Sequence, residues 1–232
     1  MHLGPTPAPA RWLLPICITL AMASGVALVA ILLAVRIHPE PAWIELRIYR
    51  RIVDLDTSYR IRNARFLGGP GFVALSMCWV SLMGVAMRRG RTAAIIVAGA
   101  IATLIVNDQI LQRLVVRPGP GSSATARLDD FIPSGHVAGA ACAALALVSH
   151  MACVDAPRVA LLLASALAAT TTVTVGWASV YQSNHFTLDV IAGAFVAICG
   201  MSLTTALACT SEANARSSAA HSTPVGRDVS TQ

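Results

Sequence analysis

Charge is scarce in this chain. Asp, Glu, Lys and Arg make up 12% of its 232 residues, about half the share of a soluble domain, which excludes an ordinary water-soluble globule of this length. Lysine is absent: all 17 basic side chains are arginine. With the abundance of alanine, that bias points to a GC-rich genome and is silent about activity. No CxxC pair occurs among the six cysteines, Cys17, Cys78, Cys142, Cys153, Cys199 and Cys209, so neither a zinc site nor a disulfide framework is indicated. They read as small core residues. No internal repeat is present. No nucleic-acid motif accompanies the net charge of +6, so the basic balance fits loops beside anionic lipid headgroups, not a nucleic-acid partner.

In place of charge the chain has apolar length. It is 56% hydrophobic with a mean hydropathy of +0.67, and the apolar residues fall in blocks: 12–35, 66–87, 92–107, 134–154, 159–181 and 190–210. A helix needs about 20 such residues to cross a hydrocarbon core of about 30 Å. The third block reaches that length if it continues through Asp108 to Leu111. The expected fold is all-α, a polytopic membrane protein of six transmembrane helices over residues 12–210. The first block is too long for a secretory signal and no clear small-x-small cleavage site follows it, so it reads as an anchor. Residues 1–11 are a Pro-rich tail, and 211–232, small and polar, read as a disordered tail.

Between the first two spans lies a polar stretch, 36–65. Ile44, Ile48, Ile52 and Leu55 recur there at helical spacing while Arg47, Arg50, Arg51 and Asp54 take other faces. This is the pattern of an amphipathic helix lying at the membrane surface; a solvated loop is the plainer alternative. The tight hairpin Arg88–Arg91 carries three arginines and belongs in the cytoplasm by the positive-inside rule. The stretch 36–65, with seven arginines of its own, then falls outside, against the same rule; a surface-bound helix is not obliged to follow it. Whichever face is which, the loop between spans three and four and the loop between spans five and six share one face.

Those two loops hold the chemistry. Pro133-Ser134-Gly135-His136 stands directly before an apolar helix, with Ser134 placed as N-cap. Free backbone N–H groups at a helix start, a glycine that permits close approach and a hydroxyl together form an anion site. His136, one turn in, is placed to donate a proton to a bound group. Arg117-Pro118 upstream adds a guanidinium suited to two-pronged phosphate contact. In the second loop His185 and Asp189 are four apart, on one face if the last span begins there. The carboxylate there fixes the imidazole tautomer and leaves the other nitrogen to attack. A metal held by His136, His185 and Asp189 is chemically possible, but the Ser-Gly and Arg-Pro elements favour an anion. His150, Asp108, Asp129 and Asp130 read as structural or solvated, and Trp12, Trp43 and Trp177 as interfacial anchors.

Arg117-Pro118, then Pro133-Ser134-Gly135-His136, then His185-x-x-x-Asp189, in this order and on these loops, resembles the type-2 phosphatidic acid phosphatase superfamily. The motifs cover 92–210, and the six-span layout extends the likeness over most of the chain. The resemblance implies a site on the outer face of a bacterial cell membrane and a metal-independent phosphatase with no cofactor. Its substrate would be a lipid phosphate: phosphatidate, phosphatidylglycerophosphate, or a polyprenyl mono- or diphosphate. It implies His185 as the nucleophile that forms a phosphohistidine, Asp189 as its orienting partner and His136 as the proton donor to the leaving alcohol. Arg117, Ser134 and the Gly135 backbone would hold the phosphoryl oxygens.

Two positions depart from that pattern. The family's first motif begins with a lysine seven residues before its arginine, where this chain has Ile110; the third carries an arginine six residues before the nucleophilic histidine, where it has Ser179. Each lost phosphate contact costs roughly 10²–10³ in rate. Arg113 shares a face with Ile110 and Arg117 if that helix continues, and so offers a partial substitute; Ser179 has none nearby in sequence. A second reading is therefore a weakened relative that binds or presents lipid phosphates or serves as a partner subunit. A third is a phosphotransferase using the same histidine. Neither the lipid nor the oligomeric state is legible in the sequence.

Overall fold

The computed structural model describes residues 13–54, 63–115, 117, 119–120 and 132–221. Trp12, Leu55, Asp129, Asp130 and the tails 1–11 and 222–232 lie outside the described residues. Those described fold as helices: α1 (Leu13–Ile37), α2 (Trp43–Val53), a 3₁₀ segment (Asn63–Gly68), α3 (Pro70–Ala86), α4 (Gly90–Val106), α5 (Gly135–Cys153), α6 (Arg158–Tyr181) and α7 (Thr187–His221). α4 runs on through a π segment, Asn107–Leu111, and a final turn, Gln112–Leu114. Among the described residues, five helices are long and apolar enough to cross a membrane: α1, α4 with its extension, α5, α6 and α7 to Ala215. α3 is apolar but has 17 residues. Together they make the chain an all-α integral membrane protein.

The differences from the expected spans have local causes. The second block begins at Phe66, but Gly68-Gly69-Pro70 interrupts it; Pro70 opens α3 at a first-turn position where its missing N–H costs no bond. Phe66 stays in the 3₁₀ segment. The third span does continue past Asn107, to Leu114. It stops there because Val115, in the β-branched pair before Arg117-Pro118, is extended (φ −134°, ψ 111°). Arg113 and Arg117 are thus not on one helix, and the shared face with Ile110 does not form. The last helix runs past Thr210 to His221, over eleven residues that read as tail. Glu212 holds that extension, pairing with Arg89 and accepting a hydrogen bond from Thr92 Oγ1 at 2.8 Å. It ties the end of α7 to the Arg88–Arg91 hairpin.

α5 is the centre of the bundle. Of its apolar window 61% is buried, against 22% for α6, and α3, α4, α6 and α7 all pack on it. Its sequence explains this: Gly, Ala and Cys at most inward positions let neighbouring backbones approach closely, the packing that membrane helices use where no hydrophobic effect drives association. α1 lies along α7 on the other side. The outward faces of α1, α3 and α6 carry exposed Leu, Val, Ile and Trp side chains, as a lipid-facing surface requires.

Candidate active site

The site sits at the end of the bundle opposite the Arg88–Arg91 hairpin, where α5 and α7 begin. Ser134 is the N-cap of α5, as its position before the apolar run predicts, but its side chain caps nothing. Its hydroxyl is fully buried without a hydrogen-bond partner, while its N–H donates to the Asp189 carbonyl at 3.0 Å. Gly193 permits this seam, because a methyl group there would sit 2.6 Å from the Ser134 carbonyl oxygen. The starts of α5 and α7 are thereby stitched together, and the two histidine loops share one face.

α7 begins at Thr187, so His185 precedes the helix and Asp189 lies in its first turn. Their proximity comes from a helix-start turn rather than from one helical face. Asp189 Oδ2 accepts from the Phe186 N–H at 2.8 Å and stands 3.8 Å from His185 Nδ1. Both side chains are buried.

Arg117 is not on the cavity wall that Gly135 and His136 share, and its hydrogen bonds go to Glu45, Asp189 and Pro39. It is 2% exposed; its Nη1 donates to Asp189 Oδ1 and Glu45 Oε1, each at 3.1 Å, its Nη2 to Glu45 Oε2 at 2.7 Å, and its Nε to the Pro39 carbonyl at 3.0 Å. The Phe186 ring covers the guanidinium at 4.8 Å. Burial disfavours the charge, but hydrogen bonds and attraction from Glu45 and Asp189 outweigh it, and the pKa is raised above its usual value. Arg113 is exposed and hydrogen-bonds Gln109 on its own helix.

Glu45 was not legible as a site residue. It lies on α2, the amphipathic helix that the 36–65 pattern predicts, but the inward face is Glu45, Tyr49 and Ile52, with Ile44 exposed. Glu45 is 3% exposed; besides Arg117 it accepts from the Leu188 N–H at 3.3 Å and the Ala42 N–H at 3.0 Å. Tyr49 adds a 2.7 Å hydrogen bond to Ser183 and an edge-on contact with Phe186. α2 therefore straps the 183–189 turn from outside. On its other side Trp43, Arg47, Arg50 and Arg51 are exposed, with Arg47 stacked on Trp43, the composition of an interfacial helix.

A cavity of about 920 Å³ opens at this end, with His136, His185, Gly135 and Asn184 on its wall. Asp108, Gln109 and Gln112 line it from the π segment and final turn of α4, and Arg65 from the 3₁₀ segment. π segments recur at functional sites; this one turns Asp108 towards Gly135, while Ile110 is half exposed and off the cavity wall. Gln112 donates to the Pro133 carbonyl at 3.0 Å. The rest of the wall, Val73, Ala74 and Met77 from α3 with Ile101 and Leu104 from α4, is apolar. Ser179 is fully buried, bonded to the Val175 carbonyl and absent from the cavity wall. Arg65, the second residue sequence reasoning missed, reaches His136 Nδ1 at 3.1 Å and donates to Gln182 Oε1 at 3.1 Å. Its one sequence signal is its place immediately before an apolar run.

No family model matches the chain, and no curated protein matches it. Among solved structures it is similar to the crystal structure of the first transmembrane PAP2 type phosphatidylglycerolphosphate phosphatase from Bacillus subtilis. The TM-score is 0.64 and the identity 18%, with 79% of this chain and 93% of that chain covered. The chain has the fold of a membrane PAP2-type phosphatase.

Proposed function

We propose that the chain is a membrane lipid phosphatase of the type-2 phosphatidic acid phosphatase superfamily. It cleaves a lipid phosphate monoester or diphosphate through a phosphohistidine on His185. The observation that carries this reading is the pairing of His136 and His185 on one cavity whose remaining wall is apolar helix surface. A phosphate at the histidines leaves its lipid tail beside α3 and α4, and a water-soluble phosphate gains nothing from that wall.

The side chains support a two-step displacement. Asp189, braced by Arg117 and the Phe186 N–H, faces Nδ1 of His185 and orients the ring, so that Nε2 attacks phosphorus. The Arg65 contact leaves Nδ1 of His136 as an acceptor, so the ring takes up its second proton once the phosphoryl oxygens draw that guanidinium arm away. The P–O bond to the lipid then breaks as His136 gives a proton to the leaving oxygen. His136, now neutral, takes a proton from water, whose oxygen attacks the phosphohistidine and releases inorganic phosphate and His185. The backbone N–H groups of Gly135 and His136 at the start of α5, both on the cavity wall, are donors for the phosphoryl oxygens. The Ser134 hydroxyl, unpartnered but fully buried, lies just behind them and would have to turn towards the cavity to join. No step requires a metal. Phosphatidylglycerophosphate, phosphatidate and polyprenyl phosphates all fit the chemistry. With the arginine hairpin inside, the site opens on the outer face.

A second reading, a protein that binds lipid phosphates with little turnover, has its own support: Arg117 is engaged by two carboxylates, and positions 110 and 179 bring no cation to the cavity. Phosphate release by the purified protein from a panel of these lipids separates the two. The enzyme reading expects release from at least one, lost in His185→Ala. Binding without release from any would favour the second.

A further inference from the structure

Among the described residues lining the cavity, Arg65 is the one arginine. Arg117 and Ser179, at the positions where the resemblance expects guanidinium groups, both lie off that wall. Arg65 stands at the histidine that serves as proton donor, with one arm of its fork on the His136 ring and the other on Gln182 of the loop after α6.

Its position is set by close backbone packing. The 3₁₀ segment presses on the first turns of α5 so tightly that a methyl group on Gly68 would overlap the His136 carbonyl, and one on Gly139 would press on the Gly68 carbonyl. Two glycines on facing elements thus lock the segment bearing Arg65 over the helix bearing His136. Nη1 is engaged by Gln182 and Nη2 by His136, and each carries a second N–H, a pair whose spacing suits two oxygens of one phosphoryl group.

We propose that Arg65 is the phosphoryl-binding cation of this site, standing in from a different element for the arginine that Ser179 replaces. It grips oxygens on the leaving-group side, next to His136, where charge grows as the P–O bond breaks. This rests on the phosphatase reading for its catalytic consequence, but not for the anion contact itself. The site keeps its function although two motif cations are gone because a third is delivered by the turn before α3.

The test uses the full-length protein in detergent or nanodiscs, with Arg65→Ala, Arg65→Lys and, as control, Arg158→Ala at the opposite end of the bundle. Two quantities are read: kcat and KM on the best lipid phosphate, and the rise in Tm given by inorganic phosphate. Arg65→Ala is expected to lower kcat/KM by about 10²–10³ and to abolish the phosphate-induced rise in Tm. Arg65→Lys is expected to recover part of both, and Arg158→Ala to change neither. If Arg65→Ala fails to fold, the lysine variant carries the test, because a point charge without the fork must still lower kcat/KM at least severalfold. A phosphate-induced Tm rise that persists in Arg65→Ala, or kcat/KM within threefold of the parent, overturns the proposal. If the parent cleaves no lipid, the phosphatase reading fails while the Tm measurement still decides the anion contact.

Discussion

Arg117 and Glu45, 72 residues apart, meet through two hydrogen bonds in a buried ion pair, Nη2 to Oε2 at 2.7 Å and Nη1 to Oε1 at 3.1 Å. The same guanidinium holds Asp189. A helix lying outside the bundle is thereby coupled, through one arginine, to the carboxylate that faces His185.

Removing Glu45 leaves Arg117 buried beside a single carboxylate. Glu45→Ala is expected to destabilise the protein by about 3–5 kcal/mol, the usual consequence of breaking a buried pair from one side. Denaturant unfolding in detergent measures it. Arg117→Ala combined with Glu45→Ala should lose clearly less than the sum of the single variants. Strict additivity would mean the pair is not coupled.

The pH dependence of this clamp has a definite sign. The Arg117 pKa is raised in the folded state, so its contribution is complete below the unfolded value and is lost only as pH climbs through the still higher folded one. The stability difference between the parent and Arg117→Ala should therefore stay flat from about pH 7 to about pH 10, a range well below that in which a free arginine loses its proton. A difference that shrinks across that range would show that the guanidinium is not held as a charged partner.

Gly68→Ala forces a methyl group into the His136 carbonyl. Overpacking of this kind typically costs about 1–3 kcal/mol, and here it also moves the segment carrying Arg65. We expect a lower Tm together with a raised KM. A variant with parental Tm and KM would show that the segment does not need this close approach.

Sidedness is open to a labelling test. In a variant with its six native cysteines replaced by alanine, a membrane-impermeant thiol reagent should reach Ser183→Cys in intact cells and Arg91→Cys only after permeabilisation. The reverse pattern would put the site inside.

Much of the scaffold was legible because membrane burial writes long apolar runs into a sequence: the apolar blocks, the start of α5 after Ser134 and the amphipathic helix all follow from local composition. The helix of Ser211–His221 was not, since Glu212 acts through Arg89 and Thr92, far away in sequence. The site was legible only in part. His136 and His185 on one cavity follow from their motifs and from loop parity. The partners of Arg117 do not, because Glu45 approaches from a helix whose sequence reveals amphipathicity but not which face turns inward. Arg65 was invisible for a related reason: two glycine contacts across 3₁₀ and helix backbones bring it to His136, and no periodicity encodes them.

The central claim is that His185 carries the phosphoryl group. Rapid quench of the purified protein with a lipid labelled in its phosphate tests this most directly. The account predicts a transient acid-labile, base-stable label on the protein that is absent from His185→Ala, with phosphate release falling by at least about 10³. Lipid cleavage by His185→Ala at the parental rate, with no protein-bound phosphate in either, would contradict it.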